Sequence, residues 1–255
     1  MQVVAIIAQK GGTGKTTVTL ALAVAAQRAG QVVAVIDLDP QATATNWSDR
    51  RPVESPVVVS AQPARLPHVL TSAAASGAEL VLIDTPPRAE QAALAAAKAA
   101  DLILIPCRPA IYDLETVSTT LELIRFAGEK PVTAILTGVP PRGAKRDQAE
   151  DVLQGLGVTV CPAAFGYRAA FNDAGAVGLT AQEYDPGGKA DTETVEVYTF
   201  MSQLLNSARH QGVTHDDTES RRLTQRHAGE REGRRQADPH TRGNRHPRRA
   251  TPDLS

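Results

Sequence analysis

Residues 9–17 read Gln-Lys-Gly-Gly-Thr-Gly-Lys-Thr-Thr, which puts two lysines, Lys10 and Lys15, into one glycine-rich loop. Without Cβ atoms, Gly11, Gly12 and Gly14 let the backbone wrap closely around an anion. The N–H groups of this turn, Thr13 included, and of the helix start behind it are expected to point at phosphate oxygens, with the helix dipole adding to the attraction. In such a loop Lys15 would neutralise the β- and γ-phosphates, Thr16 would offer its hydroxyl to Mg²⁺, and Thr17 would bond the α-phosphate. The general pattern G-x-x-x-x-G-K-[ST] is altered at its first position, where Gln9 replaces glycine and Lys10 follows. Two lysines so close repel each other in an empty site, so the pair calls for a strongly anionic ligand, and a triphosphate meets that need.

Carboxylates follow two further apolar runs. Val32-Val33-Ala34-Val35-Ile36 leads into Asp37-Leu38-Asp39-Pro40-Gln41, and Leu80-Val81-Leu82-Ile83 leads into Asp84-Thr85-Pro86-Pro87. Period-two spacing sets Asp37 and Asp39 at a strand's C-terminal edge beside the phosphate loop. Asp39 is the candidate for orienting an attacking water. Asp37 is assigned either to the outer shell of the metal or to holding its loop. Asp84 ends a buried parallel strand and reads as a Walker B aspartate binding Mg²⁺ through water.

Positioning these groups requires strands alternating with helices. The pattern predicts strands near 2–8, 32–37, 56–60, 80–84, 101–106, 131–137 and 157–161, and helices near 16–29, 64–75, 88–99, 112–127, 145–155, 168–175 and 190–206, with 41–55 either a short helix or an irregular loop. That order predicts an α/β fold, a doubly wound, mostly parallel sheet flanked by helices. With 42% apolar and 4% aromatic residues among 255, the core is aliphatic. Residues 1–205 are read as one ATPase domain. From 206 to 255 the chain has 11 Arg, 5 His and 7 acidic residues, out of 27 basic and 28 acidic overall. This Arg/His-rich tail is too poor in apolar residues to fold alone and is expected to be disordered. An acidic body thus carries a basic arm that could touch phosphates.

K-G-G-T-G-K-T-T at 10–17, D-L-D-P-Q-A-T-A-T-N-W at 37–47, L-V-L-I-D-T-P-P at 80–87 and I-P-C-R-P at 105–109 together resemble the ParA/MinD-type deviant Walker ATPases. The resemblance is strongest to small, ParF-like plasmid-partition ParA proteins, and 168–186, ending T-A-Q-E-Y-D-P, resembles that family's C-terminal region. It implies a P-loop NTPase fold, ATP/ADP and Mg²⁺ as ligands, and a homodimer sandwiching ATP, with Lys10 reaching across to the partner's nucleotide. It also implies slow hydrolysis stimulated by a centromere-binding, ParB-like adaptor, and non-specific DNA binding by the ATP dimer. Lys10, Lys15 and Asp39 are the implied catalytic residues. Pro106 through Pro109 and the loop 137–141 are placed near the adenine, and Arg168 is a candidate DNA-facing arginine.

What is lacking narrows the reading further. The N-terminal apolar run is too short for a signal peptide or membrane span, so a cytoplasmic protein is expected, and the resemblance implies that it is nucleoid-associated. Cys107 and Cys161 form no C-x-x-C pair, which argues against an iron–sulfur carrier, and both are expected to pack at strand ends. The tail has no amphipathic apolar stripe, so no membrane partner is expected. Two alternatives remain: a related ATPase that positions a protein cluster, and a dethiobiotin-synthetase-like ligase. Lys10 together with D-L-D-P-Q weighs against the ligase.

Overall fold

Aliphatic runs with no polar alternation make strands buried on both faces, as a parallel sheet between helix layers demands. The computed structural model describes residues 1–207. Strands β1 (Gln2–Ile6), β2 (Val33–Asp37), β3 (Val57–Ser60), β4 (Leu80–Asp84), β5 (Leu102–Cys107), β6 (Val132–Leu136) and β7 (Thr159–Val160) form one seven-stranded sheet in the order β3-β2-β4-β1-β5-β6-β7. Its pairings are all parallel. The helices are α1 (Lys15–Arg28), α2 (Thr43–Asp49), α3 (Leu66–Ala75), α4 (Glu90–Ala99), α5 (Ile111–Arg125), α6 (Lys145–Gly155), α7 (Ala169–Ala176), α8 (Ala181–Tyr184) and a run over 189–207, α9.

Alternate residues of each strand serve opposite layers. Val4, Ile6, Val35, Leu82 and Leu104 pack with Leu22 of α1 and with Met201 and Leu205 of α9. Val3, Ala5, Ile83, Ile103 and Ile105 pack with Ala96 of α4, Val117 of α5 and Leu153 of α6. The alanines of α1, among them Ala21, Ala23 and Ala26, are buried and let that helix sit close on the sheet. Cys107 ends β5 and Cys161 follows β7, both buried free thiols. Among the described residues no helix is long and apolar enough to cross a membrane.

The register sets up the site. Asp84 lies beside Ile6 on one side and beside Asp37 on the other, so three loops leave the sheet from one level. Chain connections diverge at β1, which sits between β4 and β5, and ligands of open α/β sheets bind at such a reversal.

Local departures from the sequence pattern have local causes. The helix expected from 88 starts at Glu90, because Arg88 adopts a left-handed φ of 53°. The strand expected over 157–161 shortens to two residues, since Gly157, at φ 76°, is still turning out of α6. The segment 41–55 takes the short-helix option as α2. Helix α8 is additional, although its start is marked in the sequence by a Thr180-x-x-Glu183 capping box. From residue 208 on, the expected basic tail lies outside the described residues.

Candidate functional site

The phosphate loop is held in shape by glycines and by threonine hydroxyl bonds, one of them from Thr13 to the Lys10 carbonyl at 3.4 Å. Gly12 and Gly14 have φ of 74° and 87°, conformations in which a side chain would be strained, and Gly14 is the N-cap of α1. The first N–H groups of α1, which follow the loop directly, have no intrahelical acceptor. Thr137, just after β6, donates from Oγ1 to the Thr13 carbonyl at 2.8 Å, fastening the loop to the far half of the sheet. Lys15 is buried at 7% exposure, and its Nζ donates to the Lys10 carbonyl at 3.1 Å. Burial pulls its pKa down, against the opposing pull of Asp84 and Asp39. An arriving polyphosphate would favour the charged form.

Thr16 Oγ1 donates to Asp84 Oδ2 at 2.6 Å, and Thr19 Oγ1 lies 3.5 Å from Asp84 Oδ1. Asp84 is fully buried and its pKa is pushed up to about 7. Burial is the main cause; Asp37 and Asp39 add to it, while the Thr16 bond and Lys15 oppose it. A hydroxyl and a carboxylate oxygen meeting beside the phosphate loop form the hard donor pair suited to Mg²⁺, so these residues fit that ion.

Asp37, also fully buried, is turned to a different task. Its Oδ1 accepts the Asp39 N–H at 3.0 Å, and its Oδ2 accepts the N–H and Oγ1–H of Thr45 at 3.0 and 3.1 Å. Three donors on two oxygens fix the turn and the first turn of α2, which is the loop-holding role. Asp39 is half-buried, with Oδ1 accepting the Gln41 N–H at 2.9 Å.

Lys10 lies on the rim. Its Nζ is 2.9 Å from Asp113 Oδ1 and 5.7 Å from the centre of the Tyr112 ring. Asp113 stands in the first turn of α5 and also takes Arg108 Nε at 2.5 Å. Burial raises its pKa, but the Arg108 and Lys10 hydrogen bonds outweigh that and hold it below the usual carboxylate range. The two loop lysines therefore have separate acceptors, one a backbone carbonyl and one Asp113. Sequence reasoning missed Asp113; its only mark was an acidic residue in a helix's first turn, a common placement.

Beside the loop, a pocket of about 200 Å³ is walled by Gly12, Gly14, Thr17, Arg108, Thr137 and Tyr167, among others. It suits a nucleoside attached to phosphates in the loop. Pro106 lies inside β5, paired with Ile135, and Pro109 is half-buried; neither lines this pocket, whereas Thr137 and Gly138 do. Arg168, on the same wall, is bonded to Glu193 at 2.5 Å.

Behind the carboxylate loops, α2 is clamped to the segment 178–183. Trp47 is buried and donates from Nε1 to the Leu179 carbonyl at 2.9 Å. The Arg51 guanidinium lies 4.6 Å over the Trp47 ring and grips Glu183 through two bonds of 2.6 and 2.8 Å. Gly178, at φ 71°, approaches so closely that a Cβ would stand 2.5 Å from the Arg50 carbonyl carbon.

Residues 4–181 match the family described as the CobQ/CobB/MinD/ParA nucleotide binding domain. Maintenance of carboxysome distribution protein A of Gloeobacter kilaueensis is 36% identical over 55% of this chain and 65% of its own. The chromosome-partitioning ATPase Soj of Thermus thermophilus is 33% identical over 52% of this chain and 66% of its own. The chain thus spans just under two thirds of the length of these relatives. Among solved structures, Pyrococcus horikoshii MinD complexed with Mg-ADP superposes with a TM-score of 0.67 at 21% identity, covering 81% of this chain and 98% of that one. A Cyanothece McdA–ATP complex gives a TM-score of 0.62 at 17% identity, covering 81% and 96%. At these identities the superpositions speak to the fold.

Proposed function

Because the chain belongs to the CobQ/CobB/MinD/ParA nucleotide-binding family, we propose that it is a ParA-type ATPase that partitions or positions a cargo, acting as an ATP-dependent sandwich dimer. The observation that carries this reading is that Thr16 bonds Asp84 at the start of α1 and Lys15 is held by the loop's own carbonyl, while Lys10 is paired with Asp113 outside the loop.

In this mechanism the loop backbone and Lys15 bind the triphosphate, and Thr16 with Asp84 would hold Mg²⁺ beside it. The ion would offset negative charge on the phosphate oxygens. Asp39 orients a water in line with the γ-phosphorus. The water oxygen bonds to phosphorus as the bond to the β,γ-bridging oxygen breaks, that electron pair leaves on ADP, and the water's proton passes to phosphate and solvent. Lys10 exchanges Asp113 for the partner protomer's nucleotide, so assembly and hydrolysis share one trigger.

The cargo is proposed to be plasmid or chromosomal DNA. A centromere-binding, ParB-like adaptor would stimulate hydrolysis, and the ATP dimer would hold nucleoid DNA without sequence preference. A protein-cluster cargo is the second reading, favoured by the 36% identity to the carboxysome distribution protein. The test is light scattering after size exclusion, with ATP and Mg²⁺, on wild type and Asp39→Ala. A dimer trapped by Asp39→Ala and retained on non-specific DNA at low salt is expected. A protein that stays monomeric under every nucleotide condition would overturn the proposal.

A further inference from the structure

Among the described residues, two that are not glycine have a left-handed φ: Ala42, at 52°, and Arg88, at 53°. Both fall in the loops that follow the buried aspartates, Asp37 and Asp84. Non-glycine residues persist in that conformation only where surrounding contacts enforce it, and such strain gathers at functional loops. The contacts enforcing it at Arg88 run straight to the phosphate loop. Thr85 Oγ1 donates to the Ile6 carbonyl at 2.7 Å, Pro87 lies against Gly11 at 3.9 Å from an ideal Cβ, and the Arg88 N–H donates to the Gln9 carbonyl at 3.1 Å. The backbone of Arg88 is thereby fixed beside the residue that precedes Lys10.

The side chain is not fixed. Arg88 is exposed, and among the described residues its guanidinium has no hydrogen-bonded or ionic partner. It lines a groove of about 710 Å³ together with Gln9, Lys10 and Glu90. A tethered backbone under a free, permanently charged fork is the arrangement of a group awaiting an anion from outside the protomer.

We propose that Arg88 is a second catalytic cation, crossing the dimer interface beside Lys10 to the transferring phosphoryl group of the partner protomer's nucleotide. There it offsets the charge that gathers on the β,γ-bridging oxygen as its bond to phosphorus breaks. This rests on the sandwich-dimer reading above.

Arg88→Gly tests it without threatening the fold, because glycine takes a φ of 53° freely. The variant is expected to keep its ATP affinity within about twofold while turnover with ATP and Mg²⁺ falls about tenfold to a hundredfold. Arg88→Lys should recover part of that loss. Mixing Arg88→Gly with Asp39→Ala, each slow alone, should return about a quarter of wild-type turnover, since about half the dimers are mixed and each has one complete site. Turnover of Arg88→Gly within twofold of wild type would overturn the inference, and so would a slow variant that mixing does not rescue. If Lys15→Ala still hydrolyses ATP normally, the underlying site reading fails instead.

Discussion

The carboxylate side of the site and its lysine rim are built on opposite terms. Asp84, Asp37 and Lys15 are buried, and each is bonded within the same protomer by atoms the fold holds in place. Lys10 is about a third exposed and Arg88 is exposed, and both line an open groove. A group desolvated by folding has met its cost before any ligand arrives, so the buried side can select nucleotide as a monomer. Groups left in water keep their desolvation for the moment of assembly, so the rim can report it. Substitutions on the closed side should therefore change stability or binding, and those on the open side should change association and turnover.

The sharpest way to break this contrast is at the clamp behind α2. The Arg51 side chain is 2% exposed and Glu183 is its ionic partner, so Glu183→Gln leaves a buried guanidinium without its countercharge. Removing one member of such a pair costs about 3 kcal/mol or more. Urea unfolding should show that loss, while turnover per folded molecule stays near wild type. A loss under about 0.5 kcal/mol, the range of ordinary surface changes, would mean that this region is not closed in the sense argued.

Much of this architecture was legible in the sequence because it rests on local chemistry. Apolar runs set the strands, and the glycine spacing with Asp84 marked the loop and the carboxylate that its Thr16 bonds. What sequence could not show depends on tertiary register. That Asp37 holds the Thr45 N–H and hydroxyl follows from where α2 starts, a helix whose N-cap, Ala42, is not a capping residue type. That Asp113 receives Lys10 follows from the β5–α5 turn lying beside the phosphate loop. Pro106, which the resemblance placed near the adenine, is a buried residue of β5, a position set by the pairing of that strand with β6.

A smaller effect should appear with pH. Folding moves Asp84 from an ordinary value near 3.8 up to about 7. Between those values the folded protein keeps a proton that the unfolded chain has released. The group's contribution to stability is therefore complete below about pH 4 and is lost as pH rises through about 7. Glu183 and Asp113 are held low, so their contributions run the other way, lost as pH falls toward acid. Wild-type stability without nucleotide should fall between pH 5 and 8 more steeply than that of Asp84→Asn, and ATP with Mg²⁺, which needs the carboxylate, should bind more tightly as pH rises. Equal slopes for the two proteins in urea unfolding would remove Asp84 as the cause.

The finest probe lies on the rim itself. Asp113→Asn removes the countercharge that keeps Lys10 on its own protomer, while retaining an oxygen that can accept from Arg108 or Lys10. The two ion pairs lost, to Lys10 and to Arg108, are both partly solvated on their cationic side, and the amide oxygen still accepts, so global stability should move by about 1 kcal/mol. Association should respond differently. A monomer that binds its own lysine less firmly has less to give up on dimerising, so the ATP-dependent dimer should form at protein concentrations a few fold lower. Light scattering across a concentration series in saturating ATP and Mg²⁺ reads that shift directly. A midpoint that moves the other way would show that Asp113 orients Lys10 for its partner instead of detaining it, and the rim would then be as prearranged as the buried side.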